Sequence, residues 1–195
     1  MASFTPRTIP IPGEGTLTLR PASEDDAETL LAFLRAESAT TDQVLTQPDE
    51  FPATADEERA KIREHDRTGG MLMLALIAPA PPASGPALAG VLSIRPGQRR
   101  RNAHTAEFGI TIAHAWRARG LGTLMLRAML DWAANHPTIE KVCLQVFSTN
   151  PRAMALYERL GFREEGRQPG QAQLRPGHYV DNIHMGLWVK PRRVS

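Results

Sequence analysis

The residues best placed to do chemistry gather at Arg117, Arg119, Gly120, Leu121, Gly122 and Thr123. An alternating apolar segment, Thr105–Ala113, leads into them. An amphipathic one follows, in which Leu121, Leu124, Met125, Ala128, Met129 and Trp132 keep three-four spacing. A strand that turns through glycine into a helix exposes unpaired backbone N–H groups at the positive end of the helix dipole. Phosphate oxygens bind such a terminus well. Gly120 and Gly122 would let a pyrophosphate approach the backbone, Arg117 and Arg119 add positive charge, and the Thr123 hydroxyl can donate. By itself the segment reads equally as an anion cradle or as an ordinary strand-to-helix turn. No Gly-Lys-Ser/Thr follows as in a P-loop, and Met125 stands where a dinucleotide fingerprint has its third glycine.

The elements that must hold this turn are readable from period and punctuation. Pro6 to Gly15 is rich in Pro and Gly and predicts a loose arm over residues 1–16, ahead of one domain over residues 17–190. Leu17–Arg20 alternates as a strand and stops at Pro21. Ser23 and Asp26 read as a cap pair before a helix carrying Ala27, Leu30, Leu31 and Leu34 on one face, and Thr54 with Glu57 opens a more polar helix toward His65. Glu37 to Pro52 reads as loop and short helix. Met71–Ile77 and Ala89–Ile94 read as strands joined by the Pro-rich stretch Pro79–Pro86, which excludes a central strand there. Lys141–Val146 is a strand, Pro151 opens a helix with Ala153, Leu156, Tyr157 and Leu160 on one face, and Gly161 ends it. A last strand runs from Tyr179 to Val189. Strands mixed with helices around a central hairpin series imply a mixed α/β sheet, not a regular βαβ repeat.

Composition narrows the function. The chain has 195 residues, 42% hydrophobic and 23% charged, with a net charge of +2. These values suit one globular domain and disfavour a nucleic-acid binder, whose basic footprint is stronger and clustered. The Gln98–Asn102 loop, with Arg99, Arg100 and Arg101, reads first as a solvated turn and second as a contact for an anionic ligand. Cys143 is the single cysteine. It forms no intramolecular disulfide, suits a reducing compartment, and reads as a small buried hydrophobe. The N-terminus has no signal-peptide pattern and no apolar run approaches a membrane span, so a cytoplasmic location is expected. No cysteine–histidine spacing suggests a metal.

A second motif adds specificity. Asn150, Ala153, Leu156, Tyr157, Gly161 and Phe162 stand as Asn-x-x-Ala-x-x-Leu-Tyr-x-x-x-Gly-Phe. Together with Arg117-x-x-Gly120-x-Gly122, this resembles the GCN5-related N-acetyltransferase (GNAT) superfamily, in the family's order and at about its separation. The resemblance covers most of the chain. It implies a splayed mixed sheet flanked by helices, with acetyl-coenzyme A (acetyl-CoA) as cosubstrate and no metal. The pantetheine arm would lie between the strands at Thr105–Ala113 and Lys141–Val146. Backbone groups of Ile112 and Ala113 would pair with it, backbone N–H groups from Arg117 to Thr123 would hold the pyrophosphate, and Asn150 would bond the arm or cap its helix. Tyr157 maps to the acid that protonates the departing thiolate; its other reading is an apolar-face helix residue.

Glu107 is the candidate base. An amine of pKa ~10 must lose a proton before it attacks a thioester, and a carboxylate beside the gap could take it through a water; Glu107 reads equally as a strand-surface charge. His104 and His114 flank the same strand as substitute bases, each also readable as an exposed structural histidine. The expected reaction is direct attack of a primary amine, on a small molecule or a peptide, in a ternary complex, with a strand N–H stabilising the oxyanion. The acceptor side draws on Glu37, Asp42, Gln43, Glu50, His178, Tyr179, Asp181 and Asn182, whose types suit a cationic amine without choosing one. The alternatives are an acetyl-CoA sensor without efficient turnover and an interaction module using Arg99–Arg101. The resemblance allows a homodimer.

Overall fold

The computed structural model describes residues 4–13, 15–79 and 85–191. Most of the Pro79–Pro86 connection therefore lies outside the described residues. The order is β1 (Arg7–Ile11), β2 (Gly15–Pro21), α1 (Ala27–Ser38), α2 (Ala55–Arg67), β3 (Met71–Ala78), β4 (Ala87–Pro96), β5 (Thr105–Ile112), α3 (Leu121–Asn135), β6 (Lys141–Phe147), α4 (Pro151–Arg159), β7 (Arg163–Arg175) and β8 (His178–Trp188). The strands form one sheet in the order β1-β2-β3-β4-β5-β6-β8-β7. Each neighbouring pair is antiparallel except β5 and β6, which are parallel and joined through α3.

Two elements depart from the expectation. The supposed loose arm contains β1, paired with β2 from Arg7↔Leu19 to Ile11↔Gly15. Pro10 is tolerated because β1 is an edge strand with one partner. β7 was not expected at all. It is exposed along most of its length and bulged three times against β8. Polarity, Gly166, Pro169 and Gly170 are the marks of a protected edge, and they hide a strand from any apolar period.

Alternation along the strands divides the core between two faces. Met73, Leu92, Phe108, Val142, Leu144 and Ile183 pack with Met125 and Met129 of α3 and Tyr157 of α4. The opposite face buries Leu72, Leu74 and Val91 against Ala27 and Leu30 of α1 and Ile62 of α2. Odd-numbered residues of β5, Glu107 among them, therefore project on the α1–α2 side, and Phe108 projects toward α4.

The entry to α1 is fixed by charge. Both carboxylate oxygens of Asp26 accept from Arg20, at 2.7 and 2.6 Å, and the Ser23 N–H donates at 2.7 Å. The Arg20 hydrogen bonds, ahead of the Ser23 ones, hold the Asp26 carboxyl down to about 2. A depressed carboxylate contributes stability above its unfolded value of ~3.9, and that contribution is lost as pH falls toward 2. Asp26→Ala should lower the melting temperature by about 2–4 °C, as expected for loss of a cap of about 1 kcal/mol. It should also flatten the acid decline of stability between about pH 4 and pH 2, read by thermal melts across that range.

Candidate active site

The two parallel strands part where chemistry was expected. β5 and β6 pair at Thr105↔Lys141, Ala106↔Val142 and Glu107↔Cys143 and no further. The N–H of Ala113 donates to the Ala89 carbonyl at 2.9 Å. Antiparallel ladders alternate, so the odd residues of β5 bond β4 while the N–H and C=O groups of Ile110 and Ile112 face β6. The Ser148 N–H bonds Asp181 at 2.9 Å, and the same alternation on β6 turns the backbone groups of Gln145 and Phe147 toward β5. A wedge lined with peptide groups opens beyond Glu107. The Ile112 carbonyl accepts from Arg117 Nε and the Phe147 carbonyl from the Asn150 N–H, so the N–H groups of Ile112 and Phe147 and the backbone groups of Ile110 and Gln145 are the ones left to a peptide-like ligand or water. Ala113 is less available than the sequence suggested, because its N–H belongs to the β4 ladder and its carbonyl accepts from Trp116 at 2.8 Å.

The glycine turn lies at the open end of β5. Gly120 precedes α3 with φ 83, and Ala118 also adopts a left-handed φ of 65. Left-handed backbone costs a non-glycine residue about 1–2 kcal/mol, so Ala118 holds the turn against its own preference. The first turn of α3 contains no acid and no capping side chain, whereas α2 carries Asp56, Glu57 and Glu58 there and a Thr54 cap. The N-terminus of this 15-residue helix thus suits an anion. Gly122 faces Leu156, which would lie 3.5 Å from an added Cβ. The Arg117 side chain turns inward instead of outward: Nε donates to the Ile112 carbonyl at 3.0 Å and NH2 to Glu37 at 3.0 Å. The same Glu37 oxygen accepts the His114 N–H at 3.0 Å, tying α1 to the turn. Arg119 stacks over Trp116 at 4.9 Å.

Pro151 opens α4, and Asn150 caps it through Oδ1, which accepts the Ala153 N–H at 3.1 Å. Six residues after Pro151, Tyr157 points to the α3–α4 face and is 8% exposed. Its ring meets Phe108 at 5.8 Å and Phe162 at 6.0 Å. Burial pushes its hydroxyl up to about 12, so Tyr157 keeps its proton across the working pH range. Glu107 is exposed on the other face, with Oε1 accepting from Gln145 Nε2 at 2.9 Å. Tyr157 and Glu107 therefore stand on opposite sides of the sheet, beside the point where β5 and β6 part.

Cys143 lies opposite Glu107 and is half-buried, less enclosed than its apolar neighbours suggested. Burial pushes its thiol up, which removes nucleophilic character. The basic Arg99–Arg101 turn precedes β5, at the end far from the opening, and folds on itself through Asn102. His104 stacks on Trp188 at the same closed end, and His114 is exposed after β5. Of the acceptor-side residues, Gln43 accepts from Thr149 at 3.3 Å across the opening. Asp181 is held by Gly170 and Arg167, Glu50 caps Gln47, and His178 and Tyr179 are exposed at the β7–β8 turn, beyond the open end of β6. Asp42 is exposed. Gln145, Asn182's partner, was passed over in sequence; its signal is a polar residue interrupting the apolar run from Val142 to Phe147. Among the described residues no group of three His, Cys, Asp or Glu could hold a metal, and no helix is long and apolar enough to cross a membrane.

A mixed sheet that opens between its two parallel strands beside an uncapped helix N-terminus is the architecture of an acyl-CoA N-acyltransferase. The family model described as "Acetyltransferase (GNAT) domain" matches residues 16–163. The chain belongs to the GNAT family. Among similar proteins, the L-amino acid N-acetyltransferase AaaT of Escherichia coli is 36% identical over 96 residues, covering 49% of this chain and 59% of that protein. The spermidine N(1)-acetyltransferase of Vibrio cholerae is 37% identical over 62 residues, covering 32% and 36%. The matched stretches thus span less than two thirds of either relative. A GNAT acetyltransferase structure from Streptococcus pneumoniae superposes with a TM-score of 0.81 at 28% identity, covering 88% of this chain and 99% of that one. The yncA structure from Salmonella typhimurium, with its cofactor acetyl-CoA, shares the fold at a TM-score of 0.76 and 17% identity, covering 92% and 97%.

Proposed function

We propose that the chain transfers the acetyl group of acetyl-CoA to a primary amine by direct attack in a ternary complex. The observation that carries this reading is the wedge between β5 and β6, with Tyr157 and Glu107 on its opposite faces. Backbone groups of Ile110 and Gln145 and the N–H groups of Ile112 and Phe147 would pair with pantetheine amides. N–H groups of Gly120, Leu121, Gly122 and Thr123 would hold the pyrophosphate, with Arg119 beside them. Arg117 would support the turn from within, and the amide nitrogen of Asn150 remains to bond the arm while its oxygen caps α4.

The amine enters from the α1–α2 side, loses a proton to Glu107 directly or through water, and attacks the acetyl carbon. The C–N bond forms, negative charge on the carbonyl oxygen meets a β5 N–H, and the C–S bond breaks. The departing sulfur takes the Tyr157 proton, the proton remaining on the newly bonded nitrogen passes through water to the tyrosinate, and Glu107 releases its own to solvent. A thiolate leaving into the same buried surroundings has its own proton affinity raised, which narrows the gap to the Tyr157 hydroxyl. Support for the acceptor class comes from the named relatives that acetylate amines and from the polar acceptor face.

The test is calorimetric titration with acetyl-CoA, followed by a panel of amino acids, polyamines and N-terminal peptides scored by coenzyme A release. Micromolar binding with turnover of one amine class is expected. Binding without turnover across the panel leaves a sensor, and no binding by folded protein removes the reading. Glu107→Gln should lower kcat/KM about tenfold near pH 7 and recover toward the parent as pH approaches the amine's pKa of ~10, where the acceptor arrives already neutral.

A further inference from the structure

Glu107 does not stand alone. Gln145 projects from β6 onto the same face, and its Nε2 donates to Glu107 Oε1 at 2.9 Å. A carboxylate only accepts, so the amide nitrogen of Gln145 must face Glu107 and its oxygen must face away. That oxygen accepts from Nδ2 of Asn182 on β8, a side chain 7% exposed. The chain Asn182–Gln145–Glu107 therefore has one direction, imposed by the acceptor-only carboxylate at its end. His184 beside Gln145 is occupied with Gln168 at 2.9 Å. Other charged or titratable groups lie on the neighbouring strands. On β4, Arg95 is the register partner of Glu107 and bonds His65 at 3.0 Å. On β6, Cys143 lies opposite it, and Lys141 is paired with Glu165 of β7 at 2.7 Å.

We propose that Gln145, anchored by the buried Asn182, is a positioning residue that locks one oxygen of Glu107 and leaves Oε2 to take the acceptor's proton. This rests on the base role proposed for Glu107. An exposed carboxylate on a strand otherwise samples several rotamers, and a base works only within hydrogen-bond reach of its proton.

The experiment compares Gln145→Met and Asn182→Asp with the parent and with Glu107→Gln. Gln145 is exposed, so Gln145→Met should fold, with a melting temperature lower by about 2–4 °C because the buried Asn182 amide loses its acceptor. It should lower kcat about five- to tenfold with KM for the amine within about twofold, because the base is no longer held within reach of its proton. Asn182→Asp never touches Glu107. Its carboxylate would accept from the Gln145 amide, rotate it, and turn the Gln145 oxygen onto Glu107, which breaks the hold on the base and lowers kcat in the same way. The side-chain amide resonance of Gln145, assigned by its loss in Gln145→Met, should shift in both Asn182→Asp and Glu107→Gln. An unchanged kcat in Gln145→Met, with Glu107→Gln impaired, would overturn positioning and leave the base role standing. Parent turnover in Glu107→Gln at all pH values would remove the base role, and the positioning role with it. If Asn182→Asp fails to fold, Gln145→Met decides.

Discussion

Tyr157→Phe should lower kcat by about 10²- to 10³-fold, the range lost with a positioned general acid, while acetyl-CoA binding and the melting temperature stay near the parent's. The substitution removes one oxygen from a ring packed between Phe108 and Phe162. The aromatic cluster therefore survives, and the loss reads the hydroxyl alone. Because burial holds that hydroxyl up to about 12, the parent should lose no rate to Tyr157 ionisation until the pH approaches 12. Steady-state kinetics with saturating amine, beside calorimetry for acetyl-CoA, separates the two effects. Weakened binding with unchanged kcat would make Tyr157 a packing residue.

Gly120→Glu should weaken acetyl-CoA binding by at least about 100-fold, or about 2.7 kcal/mol. Two costs act together. Gly120 has φ 83, a conformation that costs a residue with a Cβ about 1–2 kcal/mol. The new carboxylate also brings negative charge to a helix terminus proposed for phosphate, where like charges a few ångströms apart repel by about 1–4 kcal/mol between bulk water and the protein surface. An added Cβ at Gly120 meets nothing within 4 Å, so a clash is not the cause. Gly120→Ala is the control: it carries the backbone cost without the charge and should lose about five- to tenfold less affinity than Gly120→Glu. Equal affinities for Gly120→Glu and the parent would remove the turn from the cosubstrate site.

The motif residues of the candidate site were legible because backbone chemistry at a helix start depends on local sequence. Gly120 needs a left-handed φ, α3 needs an N-terminus without acids, and Pro151 with Asn150 makes a capped helix start; each follows from residues a few positions apart. Strand alternation likewise determined that Glu107 and Phe108 face opposite sides of β5. β1 and β7 were hidden because edge strands mix Pro, Gly and polar residues that carry no apolar period.

What tertiary structure decided was who meets whom. No spacing in the chain says that Glu37 of α1 takes the Arg117 side chain, which turns an expected surface cation into a brace. Nor does spacing reveal that Gln145 reaches Glu107 while Asn182 holds Gln145, because those three lie on strands that become neighbours only once the sheet is assembled. The opening between β5 and β6 is of the same kind. Local sequence determined the two strands, but how far they pair before parting depends on the partners that β4 and β8 supply on their outer sides. Local backbone preference is written within a few residues, and contacts between distant segments are not.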